Sequence, residues 1–402
     1  MRALFTCLPG HGHFNPMLPL ALATAGAGHE VAFATADDFC PRVEKAGFRA
    51  FPVGLSLESQ LSQARARYPE QAAMVGEERF ENFVPRMLAG VAAPARAADL
   101  MEAARDWRPD LLVHDEADFS AAVVAEALGV PCADHSVGIL RPLAMARLAG
   151  EVLEPLCAQY GVDVGEFGGL FRWLYLDVAP PSLQSGEIGQ VAVAHQAQNA
   201  TLDAGAEGET LPAWVERLSG APVVYVSLGT VFNERAGAVF SAILDGLRSE
   251  PVEVIVTIGS GNDPSVFGAQ PDHIHVEQFI PQSLLLPFCD VVVNQGGTAI
   301  LPILANGLPL LLLPQGANQF HNAEACVAAG VGRRLLPGEV TAESVREEVR
   351  RLLDEPSFRD RATTVQAELL AMPGPEHGRE LLEALVTTGQ PIPGTGHEPA
   401  AP

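Results

Sequence analysis

Seven residues, Gly10, His11, Gly12, His13, Phe14, Asn15 and Pro16, put two imidazoles on a glycine-bearing turn directly behind the apolar run Arg2 to Leu8. A neutral imidazole there can take a proton from a hydroxyl, because its unperturbed pKa lies near operating pH. For either histidine alone, a polar residue capping the turn is the plainer alternative. Such a base works best when a carboxylate holds its second ring nitrogen, which fixes the tautomer and stabilises the imidazolium that forms. Asp115, behind the apolar run Asp110 to His114, is the candidate orienter; with Glu116 and Asp118 it could equally cap a helix opening near Ser120.

The second half carries four further turns of chemical interest. Ser227, Gly229 and Thr230 follow the run from Val223 and can turn hydroxyls and backbone N–H groups toward phosphate oxygens. Phe279, Ile280 and Gln282 present an aromatic face, a backbone amide and a carboxamide, a set suited to stacking a nucleobase and hydrogen-bonding it or its ribose. Gln295, Gly296, Gly297 and Thr298 lie between an apolar run and a helix start, where helix amides meet an anion and glycine permits close approach. Asn318 and Gln319, behind another apolar run, offer amides to sugar hydroxyls. One double-glycine turn is ordinary loop structure; several such turns in one domain point to a ligand.

These residues need a scaffold that brings strand ends together. Apolar runs at Arg2 to Leu8, Glu30 to Thr35, Asp110 to His114 and Pro131 to His135 alternate with helical stretches, the rhythm of a parallel sheet with crossover helices. The alternation restarts at Val223 to Ser227 and continues through Val252 to Ile258, Ile274 to Glu277, Val291 to Asn294 and Pro309 to Leu313. Helices are expected at Pro16 to Ala27, Thr298 to Asn306, 320 to 329 and 341 to 355. The fold class is therefore α/β: two doubly wound Rossmann-like domains, expected to face one another across a cleft, because open α/β sheets bind ligands beyond the carboxyl ends of their strands. The expected divisions are a first domain over 1–200, a polar linker over 201–221 within the Gly-, Ala- and Pro-rich stretch from about 195, and a second domain over 222–372. A helix over 373–387 is expected to pack back on the first domain, before an unstructured tail over 388–402.

The chain has 402 residues, enough for two cores, and its 48% hydrophobic and 18% charged content excludes intrinsic disorder. Its formal charge of -24, with Lys45 the single lysine, repels nucleic acid and anionic membranes. No apolar run reaches the roughly eighteen residues of a membrane span, and Met1 to Leu8 lacks the basic and apolar parts of a signal peptide, so a cytoplasmic location is expected. Six cysteines without CxxC spacing point to reduced thiols rather than disulfides or a zinc site.

The sequence resembles the inverting B-fold glycosyltransferases of the UDP-glucuronosyl/glucosyltransferase superfamily, and among them the actinobacterial enzymes that glycosylate macrolides, enediynes and aromatic polyketides. The resemblance rests on GHGHFNPMLPLALATAGAGHEV at 10 to 31, PDLLVHDEADFSAAVVAEALGVP at 109 to 131, VVYVSLGTV at 223 to 231 and the stretch 279 to 323, and it spans nearly the whole chain. It implies that His13, not His11, is the catalytic base and Asp115 its partner. Phe279 takes the base-stacking position, Ile280 and Gln282 the nucleotide-reading ones. Gly12, Ser227, Gly229, Thr230, Gln295, Gly296, Gly297 and Thr298 approach the phosphates, and Asn318 and Gln319 read the donor sugar. The implied co-substrate is a dTDP- or UDP-linked sugar and the implied partner a hydrophobic small-molecule acceptor. Apolar and aromatic stretches at 55 to 107 and 140 to 180 would line its pocket, through Phe14, Phe80, Phe83, Met87, Leu140 and Trp173. No cofactor and no metal are expected, since no DxD-like carboxylate cluster stands at a strand end. Either a monomer or a homodimer fits.

The chain departs from the family pattern in the glycine loop, where a pyrophosphate-contacting histidine is replaced by Gln295 and a closing Thr or Ser by Ile300. The Asp that family members often carry in the sugar-reading pair is Asn318 here. Those losses motivate a rival reading, a non-catalytic homologue that binds a nucleotide sugar or metabolite as an auxiliary protein; retention of both His13 and Asp115 argues against it. A nucleotide-sugar epimerase on the same fold fits less well, for want of a second acid/base residue near the sugar-reading turn.

Overall fold

In a computed structural model of the protein, which describes residues 1–198, 210–229, 237–259 and 261–394, the apolar runs become strands of two separate parallel sheets. The chain divides into two units, Met1–Ala200 with Met372–Pro402 and Thr201–Ala371.

The sheet of the first unit contains β1 (Arg2–Thr6), β2 (Glu30–Thr35), β3 (Arg49–Pro52), β4 (Leu111–Asp115), β5 (Cys132–His135), β6 (Tyr175–Asp177) and β7 (Ala194–Gln196), in the order β3-β2-β1-β4-β5-β6-β7. β4 is buried at every position, which is why it reads as a continuous apolar run rather than an alternating one. β1 and β4 are neighbours, Thr6 standing beside His114, and the strand order reverses between them. Ala194–Gln196, composition-wise the start of the linker, is the edge strand β7 and pairs with β6.

Helix His11–Gly26 begins five residues earlier than the expected Pro16. Pro16 and Pro19 therefore lie inside it and remove two intrahelical bonds, a cost offset by burial of Phe14, Met17, Leu20 and Ala21. Against the same core lie Leu381, Leu382 and Leu385 of the helix Pro375–Thr388, joined to Phe5, Phe14 and Met17 in one apolar cluster. Residues 389–394, assigned by composition to an unstructured tail, are tied to the first unit: Ile392 N donates to Trp173 O at 2.8 Å and Gly394 N to Ala192 O at 2.7 Å. The rest of that tail, 395–402, lies outside the described residues.

The second unit's sheet runs β10 (Ile274–Glu277), β9 (Glu253–Thr257), β8 (Val223–Ser227), β11 (Val291–Asn294), β12 (Leu310–Leu312), β13 (Gly332–Arg334). Renumbered from its first strand this is 3-2-1-4-5-6, the doubly wound dinucleotide-binding order, reversing between β8 and β11. Helices Gly237–Leu247 and Ala342–Asp354 cover one face through Phe240, Ile243, Val345 and Val349. All six cysteines are free thiols, and burial pushes those of Cys289 and Cys326 up to about 12, so they are apolar filling rather than nucleophiles.

Candidate functional site

Each unit assembles its polar residues where its strand order reverses, the place at which doubly wound sheets leave a crevice. In the first unit, β1 ends at Thr6 and feeds the helix from His11, and β4 ends on Asp115 itself. His13 sits in the first helical turn, its N–H bonded to Gly10 O at 3.1 Å. Its Nδ1 lies 3.3 Å from Asp115 Oδ1, at an angle short of a well-aligned hydrogen bond, and its side chain keeps 29% exposure. The structure thus brings together the two residues that stand about a hundred positions apart in the chain, and leaves Nε2 as the ring nitrogen turned from the carboxylate. His11, next along, is exposed and packs edge-on against Phe39. Gly12 lies between them, among the first-turn amides that have no carbonyl partner within the helix.

Asp115 is fully buried. Its Oδ2 accepts from Leu8 N at 2.9 Å and its Oδ1 from Ala117 N at 2.6 Å. Burial by itself would raise the carboxyl pKa; the nearby His13 and the two backbone donors outweigh it and hold the group well below the usual carboxylate range. The group is an anion across the working pH range, as an orienter of imidazole must be. Helix capping, the other role open to an aspartate here, falls to Asp118, whose Oδ1 accepts from Ser120 N. Asp118 also receives Arg96, a fully buried guanidinium that binds Thr6 Oγ1 and Cys7 O and so fixes the end of β1.

A hollow lies against Glu116, the residue after Asp115, with walls from Val84, Leu88, Phe119, Met145 and Phe171. Of the residues expected to line an acceptor pocket, Leu140 lines this hollow. Phe14 does not: one helical step from His13, it turns about 100° away into the core, edge-on to Phe33 and Phe39. Phe83 and Met87 are core residues on the inner face of the helix Gly76–Met87, while Val84 and Pro85 of that helix reach the hollow. Phe80 is buried in the same helix, away from the lining, and Trp173 packs between two apolar clusters. Residues missed from sequence are Glu116 and Arg141, which put an ion pair of 3.2 Å on the otherwise apolar wall. The signal available was a charged residue inside each of two apolar stretches.

In the second unit, Asn294 ends β11 and ties the strand ends together. Its Nδ2 donates to Ser227 O at 2.9 Å, and its Oδ1 accepts from Gly296 N at 2.8 Å. Gly229 adopts φ +73° and is needed there twice over: a Cβ would lie in the left-handed region and 2.1 Å from Gln295 Nε2. Gln295 is thus folded against the Ser227–Gly229 turn, nearly buried, with its Oε1 lacking a partner among the described residues. Gly296 has φ +88° and its carbonyl accepts from Asn322 Nδ2. Gly297 and Thr298 are half-buried in the loop. The helix expected from Thr298 opens only at Ile300 and has six residues, so the loop amides, not a helix dipole, face any anion here. Ile300 is buried in the core. Thr230 lies outside the described residues.

Phe279 is 63% exposed, an unusual position for a ring of that size. Ile280 is buried, so only its backbone is open to a ligand; Gln282 is half-buried at the start of a short helix. Asn318 is half-buried, whereas Gln319 is buried, with Oε1 accepting from Gln315 N at 2.8 Å and Gly316 N at 3.1 Å. Gln319 therefore clasps its own turn through its carboxamide oxygen, in a turn where Ala317 holds φ +51°. Among the described residues no group of three or more His, Cys, Asp or Glu side chains could hold a metal ion, and no helix is long and apolar enough to cross a membrane.

With this geometry in view, comparison with known proteins finds the N-terminal domain of the erythromycin biosynthesis protein CIII-like family over residues 21–229, and its C-terminal domain over 241–385. The chain is 29% identical over 430 residues to 4'-demethylrebeccamycin synthase of Lentzea aerocolonigenes, covering 96% of this chain and 99% of the other. It is 32% identical over 344 residues to L-demethylnoviosyl transferase of Streptomyces niveus, covering 83% and 85%. Among solved structures it resembles the Streptomyces sp. SF2575 glycosyltransferase SsfS6 complexed with thymidine diphosphate, with TM-score 0.78, 26% identity and coverage of 96% and 99%.

Proposed function

The chain belongs to the erythromycin biosynthesis protein CIII-like family and is a glycosyltransferase, and from that premise we propose that it moves a sugar, with inversion, from a thymidine- or uridine-diphosphate donor to a hydroxyl of an apolar natural-product acceptor. The observation that carries the reading is the 3.3 Å approach of His13 Nδ1 to a buried, ionised Asp115 at the strand-order reversal of the first unit. With Nδ1 engaged by the carboxylate, Nε2 is the basic atom. It takes the acceptor proton as the hydroxyl oxygen bonds to the anomeric carbon, while the bond from that carbon to the diphosphate oxygen breaks on the opposite face. Asp115 orients the ring with its proton on Nδ1 and stabilises the imidazolium after transfer.

The departing diphosphate keeps its charge in this reading through backbone N–H groups of Gly296, Gly297 and Thr298, the Gln295 amide and the Ser227–Gly229 turn, without a divalent cation. The exposed Phe279 ring supports base stacking. Support for a diphosphate nucleoside comes from the related SsfS6 complexed with thymidine diphosphate.

The test is calorimetric titration of the protein with TDP and with UDP, followed by Gln295→His and by transfer assays on His13→Ala. Micromolar affinity for one nucleotide, and a turnover lowered by about 10²–10⁴ in His13→Ala, are the expected results. No affinity for either nucleotide in the native chain, restored by Gln295→His, would instead mark the chain as one that no longer uses a donor.

A further inference from the structure

Within the apolar hollow of the first unit, one side chain is chemically out of place. Arg141 stands on the wall, its side chain 16% exposed, and its single partner among the described residues is Glu116, 3.2 Å away. The guanidinium has five N–H donors in a fixed fork. None of them makes an aligned hydrogen bond among the described residues, and Nε is sealed from solvent with no acceptor. Compare Arg96, fully buried in the same unit, whose donors are spent on Asp118, Thr6, Cys7 and Val53. A structural arginine is satisfied in that way; Arg141 is not. A cation on an apolar wall with a sealed, unspent donor is costly unless something else fills it.

We propose that Arg141 is the specificity-determining residue of the acceptor hollow, where its guanidinium donates to a neutral carbonyl oxygen carried on an apolar ring or chain. This rests on reading the hollow as the acceptor's place. Three observations select the ligand class. The remaining wall, with Val84, Leu88, Phe119, Met145 and Phe171, is apolar and accepts a hydrocarbon body. A charged donor with free N–H groups calls for an acceptor oxygen. Glu116 beside it, the adjoining ionised Asp115 and the net charge of -24 all oppose an anionic oxygen and favour an uncharged ketone, quinone, lactone or amide. Glu116 holds the fork in place: its Oε1 faces Arg141, and its Oε2 accepts from Tyr175 OH at 3.4 Å. Because Glu116 directly follows Asp115 in the chain, the carbonyl that Arg141 reads fixes the acceptor's orientation relative to the base.

The experiment uses two probes of nearly the same shape, 2-acetonaphthone and 2-ethylnaphthalene, which differ by C=O against CH2. Equilibrium dialysis of the full chain gives both dissociation constants, and the readout is their ratio. We expect the ketone-over-hydrocarbon ratio to fall about tenfold in Arg141→Met, the loss of one hydrogen bond to a charged group. Since Arg141→Met strands a buried carboxylate, the double variant Arg141→Met/Glu116→Gln is measured beside it and should show the same fall. A ratio unchanged in both variants overturns the assignment, as does failure of the native chain to take up either probe. Failure of the transferase reading has a separate signature, absence of TDP and UDP affinity in the native chain, and does not move the ratio.

Discussion

Replacing Asp115 by asparagine changes one atom, and the structure says where that atom must go. The carboxylate accepts on both sides, from Leu8 N at Oδ2 and from Ala117 N at Oδ1, with His13 Nδ1 also facing Oδ1. An amide has one acceptor oxygen, so in either rotamer its NH2 group opposes a buried N–H. If it replaces Oδ2 it confronts Leu8 N; if it replaces Oδ1 it confronts Ala117 N and His13. One buried donor is lost at a cost of about 1–3 kcal/mol. For a unit of this size each kcal/mol shifts the melting midpoint by about 2–4 °C, so the transition of the first unit should fall by roughly 2–12 °C in a calorimetric scan. Activity should fall further, by about 10³–10⁴ in kcat, because the amide no longer holds the proton on Nδ1 and Nε2 is no longer reliably basic. His13→Ala, which removes a partly exposed side chain, should show the rate loss with little thermal shift. A variant at Asp115 that transfers sugar at the native rate, or melts where the native protein melts, would refute this account of the dyad.

The other predictions concern the second unit and the interior of the first. Gly229→Ala should lower the stability of the second unit by about 1 kcal/mol through its left-handed backbone, and weaken TDP binding by driving Gln295 off the turn; urea unfolding and calorimetry read the two effects, and native values for both would count against the packing described. His135 is held neutral by burial, its pKa brought down to about 4. Its folded value lies below its unfolded one, so the stability it governs is complete above about pH 6.5 and is lost as pH falls toward 4, by up to about 3 kcal/mol. In urea titrations across that window His135→Gln should give a shallower loss than the native chain, and identical slopes would contradict the assignment.

Much of this arrangement was legible from residue order because strands buried on both faces announce themselves as apolar runs. Glu30–Thr35, Val223–Ser227, Ile274–Glu277 and Val291–Asn294 coincide with their expected bounds. The three-residue strands β6, β7 and β13 carry too few side chains to show a period, and β7 contains His195 and Gln196, which read as linker. The early start of the His11 helix was hidden by local chemistry: Gly-His-Gly favours a turn and Pro16 favours a first helical turn, yet tertiary burial of Phe14 and Met17 overrides both. At the site, His13 and Asp115 could be paired because each follows a strand. The lining of the hollow could not, because which face of a helix looks into a hollow is settled by neighbours from other segments; Phe83 and Val84 are adjacent in sequence, and of the two Val84 lines the hollow. The bonds of Gln319 to its own turn were hidden for a similar reason, since they run to residues three and four positions before it in a turn with a left-handed alanine.

The helix Pro375–Thr388, whose leucines share a cluster with the helix that carries His13, comes from the far end of the chain. During synthesis the second unit is therefore spelled out in full while the first still lacks part of its core. Domains usually mature in the order in which they leave the ribosome. Here the first to begin finishes after the second, and its helix His11–Gly26 stays without Leu381, Leu382 and Leu385 against its buried face until the whole second unit has been made. The same discontinuity governs recombination between relatives. A chimera that exchanges the first unit at a single junction near residue 200 inherits a foreign back wall behind the helix that carries His13, so a working exchange has to carry residues 372–394 along with the N-terminal segment.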